Sequence, residues 1–303
     1  MNVGLCVLFS TLIAFTSCEL LTLKNGVING TVGKSRNGRP FQQFNSIPYA
    51  EPPVRELRFK APVAINPWPD VKDVSNLPPR CIQPPTFITL GGSDIIQEDC
   101  LYLSVFVPNN LFKPSGKTPV IVYIHGGSFQ IGSAGGYNPQ YFMDKDVILV
   151  IINYRLGVLG FFGLNNDVIS GNYGLKDQAL ALQWVKENIA AFGGDPNRVT
   201  LMGVSAGAAS VHLHMFSPLS KGLFQKAIML SGSAYSGWAV LDQGFGEAIS
   251  TAFLVISGCF RNDSIQVLKC LQQLPVDDFL TLGNRLYLRN FTASRMLFKP
   301  ITE

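Results

Sequence analysis

Two short motifs hold the residues able to do chemistry. The first is Gly203-Val204-Ser205-Ala206-Gly207, a serine with a glycine two positions away on either side. It follows the apolar run Val199–Val204 and precedes small, helix-compatible residues, the context in which a strand turns sharply into a helix. A serine exposed on such a turn sits in a strained backbone, and a Cβ two positions away would collide with the neighbouring turn. Gly203 and Gly207 remove those atoms. Ser205 also falls at a helix N-terminus, whose dipole favours developing negative charge. The chemistry implied is nucleophilic attack by the Ser205 hydroxyl on an acyl carbon.

The second motif, His125-Gly126-Gly127-Ser128-Phe129, follows the apolar run Pro119–Ile124. Glycines at a strand end let backbone N–H groups approach a substrate oxygen. Acyl transfer needs such donors for its tetrahedral oxyanion, and losing one typically costs about 10² to 10³ in rate. An upstream glycine loop paired with Gly-x-Ser-x-Gly is the arrangement of the α/β-hydrolase fold. A serine mechanism also needs a base, and the chain has 3 histidines: His125, His212 and His214. His125 belongs to the glycine motif. His212 and His214 fall two turns or more along the helix that Ser205 begins, out of reach of its hydroxyl, and read as helix-packing residues. The nucleophile and the hole are present up to residue 303, without a base.

The elements around these motifs alternate. Cys100–Pro108, Pro119–Ile124, Val147–Asn153, Val199–Val204 and Ala227–Leu230 are apolar runs bounded by breakers, the pattern of strands covered on both faces. Leu175–Phe192 spaces Leu182, Val185, Ile189 and Phe192 at helical intervals and is closed by Gly193-Gly194. A second helix is expected from Ala206 to about Phe216. Strand–helix order of this kind predicts an α/β fold with a mostly parallel central sheet and helices on both faces. Upstream, Leu20–Lys34 reads as a hairpin with Asn25-Gly26 at its turn, and residues 36–90, rich in Pro, Asn and Arg, read as long coil. No repeat or linker divides the chain.

Composition narrows the partners. With 47% hydrophobic and 15% charged residues the chain is no disordered segment. Its net charge of +4 is unclustered, which disfavours nucleic acid as a partner. Val3–Phe15 is almost wholly apolar and is followed by Thr16, Ser17 and Cys18. Residues 1–18 therefore read as a signal peptide, too short for a membrane span, and no other segment qualifies as one. The expected location is secreted, extracellular. Cys81, Cys100, Cys259 and Cys270 remain after the signal and allow three pairings. The simplest is Cys81–Cys100 with Cys259–Cys270, each closing a polar stretch and each contributing about 3 kcal/mol in the chain-entropy model. Sequons at Asn29, Asn262 and Asn290 are candidate glycosylation sites. Nothing in the sequence suggests a metal or a cofactor.

Further motifs bring the reading to a family. Ile47-Pro48-Tyr49-Ala50-Glu51-Pro52-Pro53 with Leu57-Arg58-Phe59, Glu98-Asp99-Cys100-Leu101-Tyr102-Leu103, Asn153-Tyr154-Arg155 and Gly171-Asn172-Tyr173-Gly174-Leu175-Lys176-Asp177-Gln178 occur in order before the Ser205 motif. Together they resemble the N-terminal part of a type-B carboxylesterase, the family of cholinesterases and insect esterases, and most of all the exported insect enzymes. The resemblance implies an α/β-hydrolase fold, with residues 19–303 as the N-terminal part of a single domain. It also implies hydrolysis of a small carboxylic ester through an acyl-Ser205 intermediate. The oxyanion donors it implies are Gly127, Ser128 and Ala206, with Ser128 in place of a third glycine. Trp238 matches the acyl-pocket tryptophan, and Arg58–Glu98 and Arg155–Asp177 match structural ion pairs. The Cys81–Cys100 stretch lacks the tryptophan that cholinesterases use for choline, so a choline ester is disfavoured. The family's triad acid and histidine lie beyond the position matching residue 303. The other reading is a non-catalytic, cholinesterase-like adhesion or ligand-binding protein; relatives of that kind usually lose the nucleophile, which Ser205 retains.

Overall fold

β-Branched runs cut by Gly, Pro and Asn build the centre of the molecule. In the computed structural model, which describes residues 20–84, 92–112, 117–290 and 297–302, the strands are β1 (Leu21–Leu23), β2 (Gly26–Asn29), β3 (Thr31–Lys34), β4 (Pro40–Pro48), β5 (Lys72–Asp73), β6 (Tyr102–Pro108), β7 (Thr118–Ile124), β8 (Ile148–Ile152), β9 (Gly194–Val204) and β10 (Lys226–Leu230). The helices are α1 (Gly157–Phe161), α2 (Tyr173–Asn188), α3 (Ala206–Phe216), α4 (Gln243–Ile256), α5 (Ser264–Gln273) and α6 (Val276–Asn290). The expected signal, residues 1–18, lies outside the described residues.

Seven strands form one sheet in the order β10-β9-β7-β8-β6-β4-β3. β10, β9, β7 and β8 run parallel, whereas β6, β4 and β3 join by antiparallel pairings. The parallel half is made by three crossovers: two short 3₁₀ turns between β7 and β8, α1 and α2 between β8 and β9, and α3 between β9 and β10. In register, Ile124 of β7 lies beside Gly203 of β9 and Ile152 of β8. The residues that follow these strands therefore leave the sheet at the same end. That placement sets both glycine motifs side by side.

Alternation along each strand divides the core. Val120, Val122, Ile124, Val150 and Leu201 bury one face, in the same cluster as Leu182 and Val185 of α2 and Ala209 and Val211 of α3. The opposite face gathers Phe41, Phe106, Tyr123, Leu149 and Ile151 under Ala134 and Met143 of short 3₁₀ turns. Edge strand β10 shows Ile228, Met229 and Leu230 to solvent at 40–43% exposure.

Both disulfides form in the expected pairing, Cys81–Cys100 and Cys259–Cys270. Two local expectations shift. The hairpin turns on Lys24-Asn25, with Leu23 opposite Gly26. Gly26 instead takes up φ 150° beneath Trp68, where a Cβ would strike the indole. The stretch expected as coil contains the nine-residue strand β4. Three helices, α4 to α6, follow β10. α4 and α5 begin at Asp242 and Asp263, whose side chains accept from the N–H groups of Gly244 and Ile265.

Candidate active site

Strand β9 ends at Val204 and α3 begins at Ala206, leaving Ser205 alone at the junction with φ 55° and ψ −120°. That conformation is sparsely populated for a residue with a side chain. It is held from outside: the Ser205 N–H donates to Leu230 O at 2.8 Å, and its carbonyl accepts from Ala209 N at 3.0 Å. The flanking glycines are sterically required. A Cβ on Gly203 would lie 2.9 Å from Ala208 N and nearer still to the Gly207 carbonyl. One on Gly207 would press on the Ile124 and His125 carbonyls. Gly232, after β10, comes equally close to the Ser205 carbonyl.

The upstream loop faces this serine. A Cβ on Gly126 would stand 2.6 Å from Val204 O and 3.2 Å from Ser205 Cβ, so the glycine loop passes directly over the elbow. Gly127 (φ 115°), Ser128 (φ 60°) and Phe129 (φ 60°) follow in left-handed backbone. Phe129 is fully buried and anchors the turn, and its carbonyl accepts from Gly157 N. Gly127 O accepts from Gln130 N and Ile131 N at 2.9 and 3.0 Å. A trans peptide points its N–H away from its C=O, so this pair of bonds aims the Ser128 N–H. Among the described residues, no protein acceptor meets the N–H of Gly127, Ser128 or Ala206.

The three histidines hold other posts. His125 is buried, stacks on Tyr154 at 4.4 Å between ring centroids, and through Nδ1 donates to Gly126 O at 2.8 Å. His214 is buried between Ser220 Oγ (2.7 Å at Nδ1) and Gln178 Oε1 (2.9 Å at Nε2). Burial pushes each imidazole down to about 4, so both stay neutral at pH 7. His212 accepts at Nδ1 from Ser233 Oγ and Ala234 N, both at 3.2 Å. None of the three bonds to Ser205 among the described residues.

Beneath the elbow runs a polar chain that sequence inspection did not single out. Gln178 Nε2 donates to Ser210 Oγ at 3.3 Å, and Ser210 Oγ donates to Ala206 O at 3.0 Å. The legible signal was Gln178 itself, a polar residue on the inward face of α2.

The expected ion pairs form away from Ser205. Arg155 meets Asp177 through two guanidinium nitrogens at 2.7 and 2.8 Å, both side chains buried. Arg58 grips Glu98 at 2.6 and 2.7 Å, and its Nη1 also donates to the carbonyls of Leu271, Gln272 and Leu274 at the end of α5. These are bonds of a scaffold. Trp238 lies half-buried against the core in the turn after β10, the segment whose Gly232 touches Ser205. Asn29 is half-exposed at the end of β2, and Asn262 is exposed between α4 and α5. The tripeptide at Asn290 runs outside the described residues. Among the described residues no cluster of His, Cys, Asp or Glu could hold a metal, and no helix is long and apolar enough to cross a membrane.

Comparison with known proteins bears on the chain as a whole. The sequence model of the carboxylesterase family matches residues 17–303. Esterase E4 of Myzus persicae is 45% identical over 83% of this chain and 45% of its own length. Juvenile hormone esterase of Tribolium castaneum is 44% identical over 88% of this chain and 46% of its own. A crystal structure of juvenile hormone esterase from Manduca sexta, with OTFP covalently attached, superposes with a TM-score of 0.89 at 32% identity, covering 95% of this chain and 54% of that one. The chain thus spans about half the length of the relatives it matches.

Proposed function

The chain belongs to the carboxylesterase family, and from that premise we propose that it is the N-terminal part of a single-domain serine esterase hydrolysing small carboxylic esters outside the cell. The observation that carries the proposal is the strained Ser205 beneath the Gly126-Gly127-Ser128 loop. Ser205 Oγ attacks the ester carbonyl carbon while the N–H groups of Gly127, Ser128 and Ala206 hold the oxyanion. Collapse of the tetrahedral adduct expels the alcohol and leaves acyl-Ser205, which water then hydrolyses. The positive end of α3 favours the anion at each stage.

The base that accepts the Ser205 proton is none of His125, His212 and His214. His214 has both ring nitrogens engaged, His125 donates into its own loop, and His212 is tied to the turn after β10. The base and the acid that orients it belong to residues beyond 303, and residues 19–303 alone are inactive. Trp238 borders the acyl side, where the Ser128 side chain narrows the space. Secretion is supported by the apolar run at residues 3–15 and the two disulfides. Asn29, Asn262 and Asn290 are the candidate glycan sites.

The test is to express the longest form the gene encodes, assay p-nitrophenyl acetate, and map a serine-directed organophosphate by peptide mass. Turnover lost in Ser205→Ala, with the label on Ser205, is expected. A wild-type protein that binds esters without turnover favours the ligand-binding reading instead. Turnover by residues 19–303 alone, abolished by Ser205→Ala, would place a base among the described histidines.

A further inference from the structure

The oxyanion loop is clamped from behind by a side chain no motif includes. Gln83, two residues after Cys81, is 4% exposed. Its Nε2 donates to Gly132 O at 2.9 Å and to Cys81 O at 3.0 Å, and its Oε1 accepts from Gly132 N at 2.9 Å. Every hydrogen-bonding group of the amide but one lone pair is used, and both polar groups of Gly132 are taken by one partner. The amide orientation follows, because only oxygen can accept from the Gly132 N–H.

Gly132 in turn supports the oxyanion loop. It lies at φ 117°, and a Cβ there would stand 2.5 Å from His125 Nδ1 and 2.7 Å from Gly126 O. The Gly132 main chain is therefore the wall against which the imidazole and the Gly126 carbonyl rest. The imidazole donates from Nδ1 to that carbonyl, which fixes the N–H on the other side of the same trans peptide, that of Gly127, pointing away from the imidazole. A second tie runs parallel: Asn153 Nδ2 donates to Cys100 O at 3.0 Å, and its Oδ1 accepts from Ala134 N at 2.6 Å. Both ends of the Cys81–Cys100 bridge thus reach the loop that follows β7.

We propose that Gln83 is a positioning residue for acyl transfer: fixed beside the Cys81–Cys100 disulfide, it holds Gly132, and through it the His125 ring and the Gly126–Gly127 peptide, in the orientation that presents the Gly127 N–H to an ester oxyanion. The inference rests on the ester-hydrolase reading above. A donor turned from its target loses its worth in the transition state while ground-state binding is kept.

The experiment compares wild type, Gln83→Met and Gln83→Glu in the longest encoded form, with active sites counted by the extent of organophosphate labelling. Met removes every hydrogen bond at similar length. Glu is isosteric but can only accept. For both variants kcat per labelled site falls about 10-fold or more, a fraction of a donor's full worth, with KM within twofold. Inhibition by a trifluoromethyl ketone, which mimics the tetrahedral adduct, weakens by the same factor as kcat/KM. A variant with a lower Tm and unchanged kcat per site would assign Gln83 to stability alone and overturn the inference, as would failure of both variants to fold. A wild-type protein without turnover overturns the ester-hydrolase reading itself, and this inference with it.

Discussion

Replacing Gly207 by alanine sets two effects of opposite sign against each other. Gly207 is the second residue of α3, and by helix propensity alone alanine there stabilises by about 1 kcal/mol. The structure predicts the reverse. The added methyl would stand 2.8 Å from His125 O and 2.9 Å from the Ile124 carbonyl carbon, and nearer still to the Ile124 oxygen. All three are backbone atoms at the end of a central strand, hydrogen-bonded on both sides, so no side chain can swing away. Restoring contact distance means lifting α3 from β7 by roughly 1 Å, an overpacking cost at the upper end of the usual range, about 3 kcal/mol. The net is a loss of about 2 kcal/mol, or a Tm lower by about 4–8 °C. Gly283 of α6 is the control, since its Cβ would meet only Val158 Cγ2 at 3.6 Å; Gly283→Ala gains up to about 1 kcal/mol. Urea unfolding of the three proteins decides the matter. A Gly207→Ala protein as stable as Gly283→Ala would refute the steric account of the elbow.

Other perturbations follow from the same contacts. Asp177→Ala leaves Arg155 buried and unpaired and costs about 3–5 kcal/mol, whereas Asp146→Ala, at the exposed pair with Arg39, costs under about 1 kcal/mol; paired denaturation curves compare them. Because His125 and His214 titrate near 4 when folded and near 6.5 when unfolded, the unfolded state binds more protons between these values. Stability therefore falls as pH is lowered from 6.5, by about 2 kcal/mol per histidine at pH 5. His214→Gln removes one share of that slope, and an unaltered slope refutes the assignment. Replacing Cys259 and Cys270 by serine opens a loop of 11 residues and costs about 3 kcal/mol, read as a shift in the urea midpoint.

What was legible in the sequence depended on how local its cause was. The elbow could be read because its glycine–serine–glycine spacing is itself local: Gly203 is demanded by Gly207 and Ala208, within three residues of Ser205, although Gly207 is demanded by Ile124 and His125 at the end of β7. Strands β6 to β8 and the Val199–Val204 half of β9 could be read because their runs are predominantly apolar, whereas the Gly194–Arg198 start of β9 is polar and carried no such signal. Strand β4 could not: Gln42 and Asn45 interrupt it, and both are buried against distant partners, Asn109 and Ser75. Phe279, Leu282 and Leu286 recur at helical spacing and are buried, a local signal for α6. Gln83 had no local signature at all, since its meaning lies 49 residues away in Gly132.

The bonds of Arg58 also impose an order in time. Its carboxylate partner, Glu98, follows 40 residues later, but the carbonyls it caps at the end of α5 lie 213 to 216 residues downstream. At about 5–20 residues per second of synthesis, Glu98 leaves the ribosome about 2–8 s after Arg58, and Leu274 about 11–43 s after it. During that interval the guanidinium is neutralised, but Nη1 still lacks the carbonyls it will cap. The 19-residue Cys81–Cys100 loop is complete well before α5 exists. Under the export proposed above, a nascent chain would pass through a stage in which one bridge and the Arg58–Glu98 pair are closed while the surface they support is open, the stage at which chaperone binding would have most to cover.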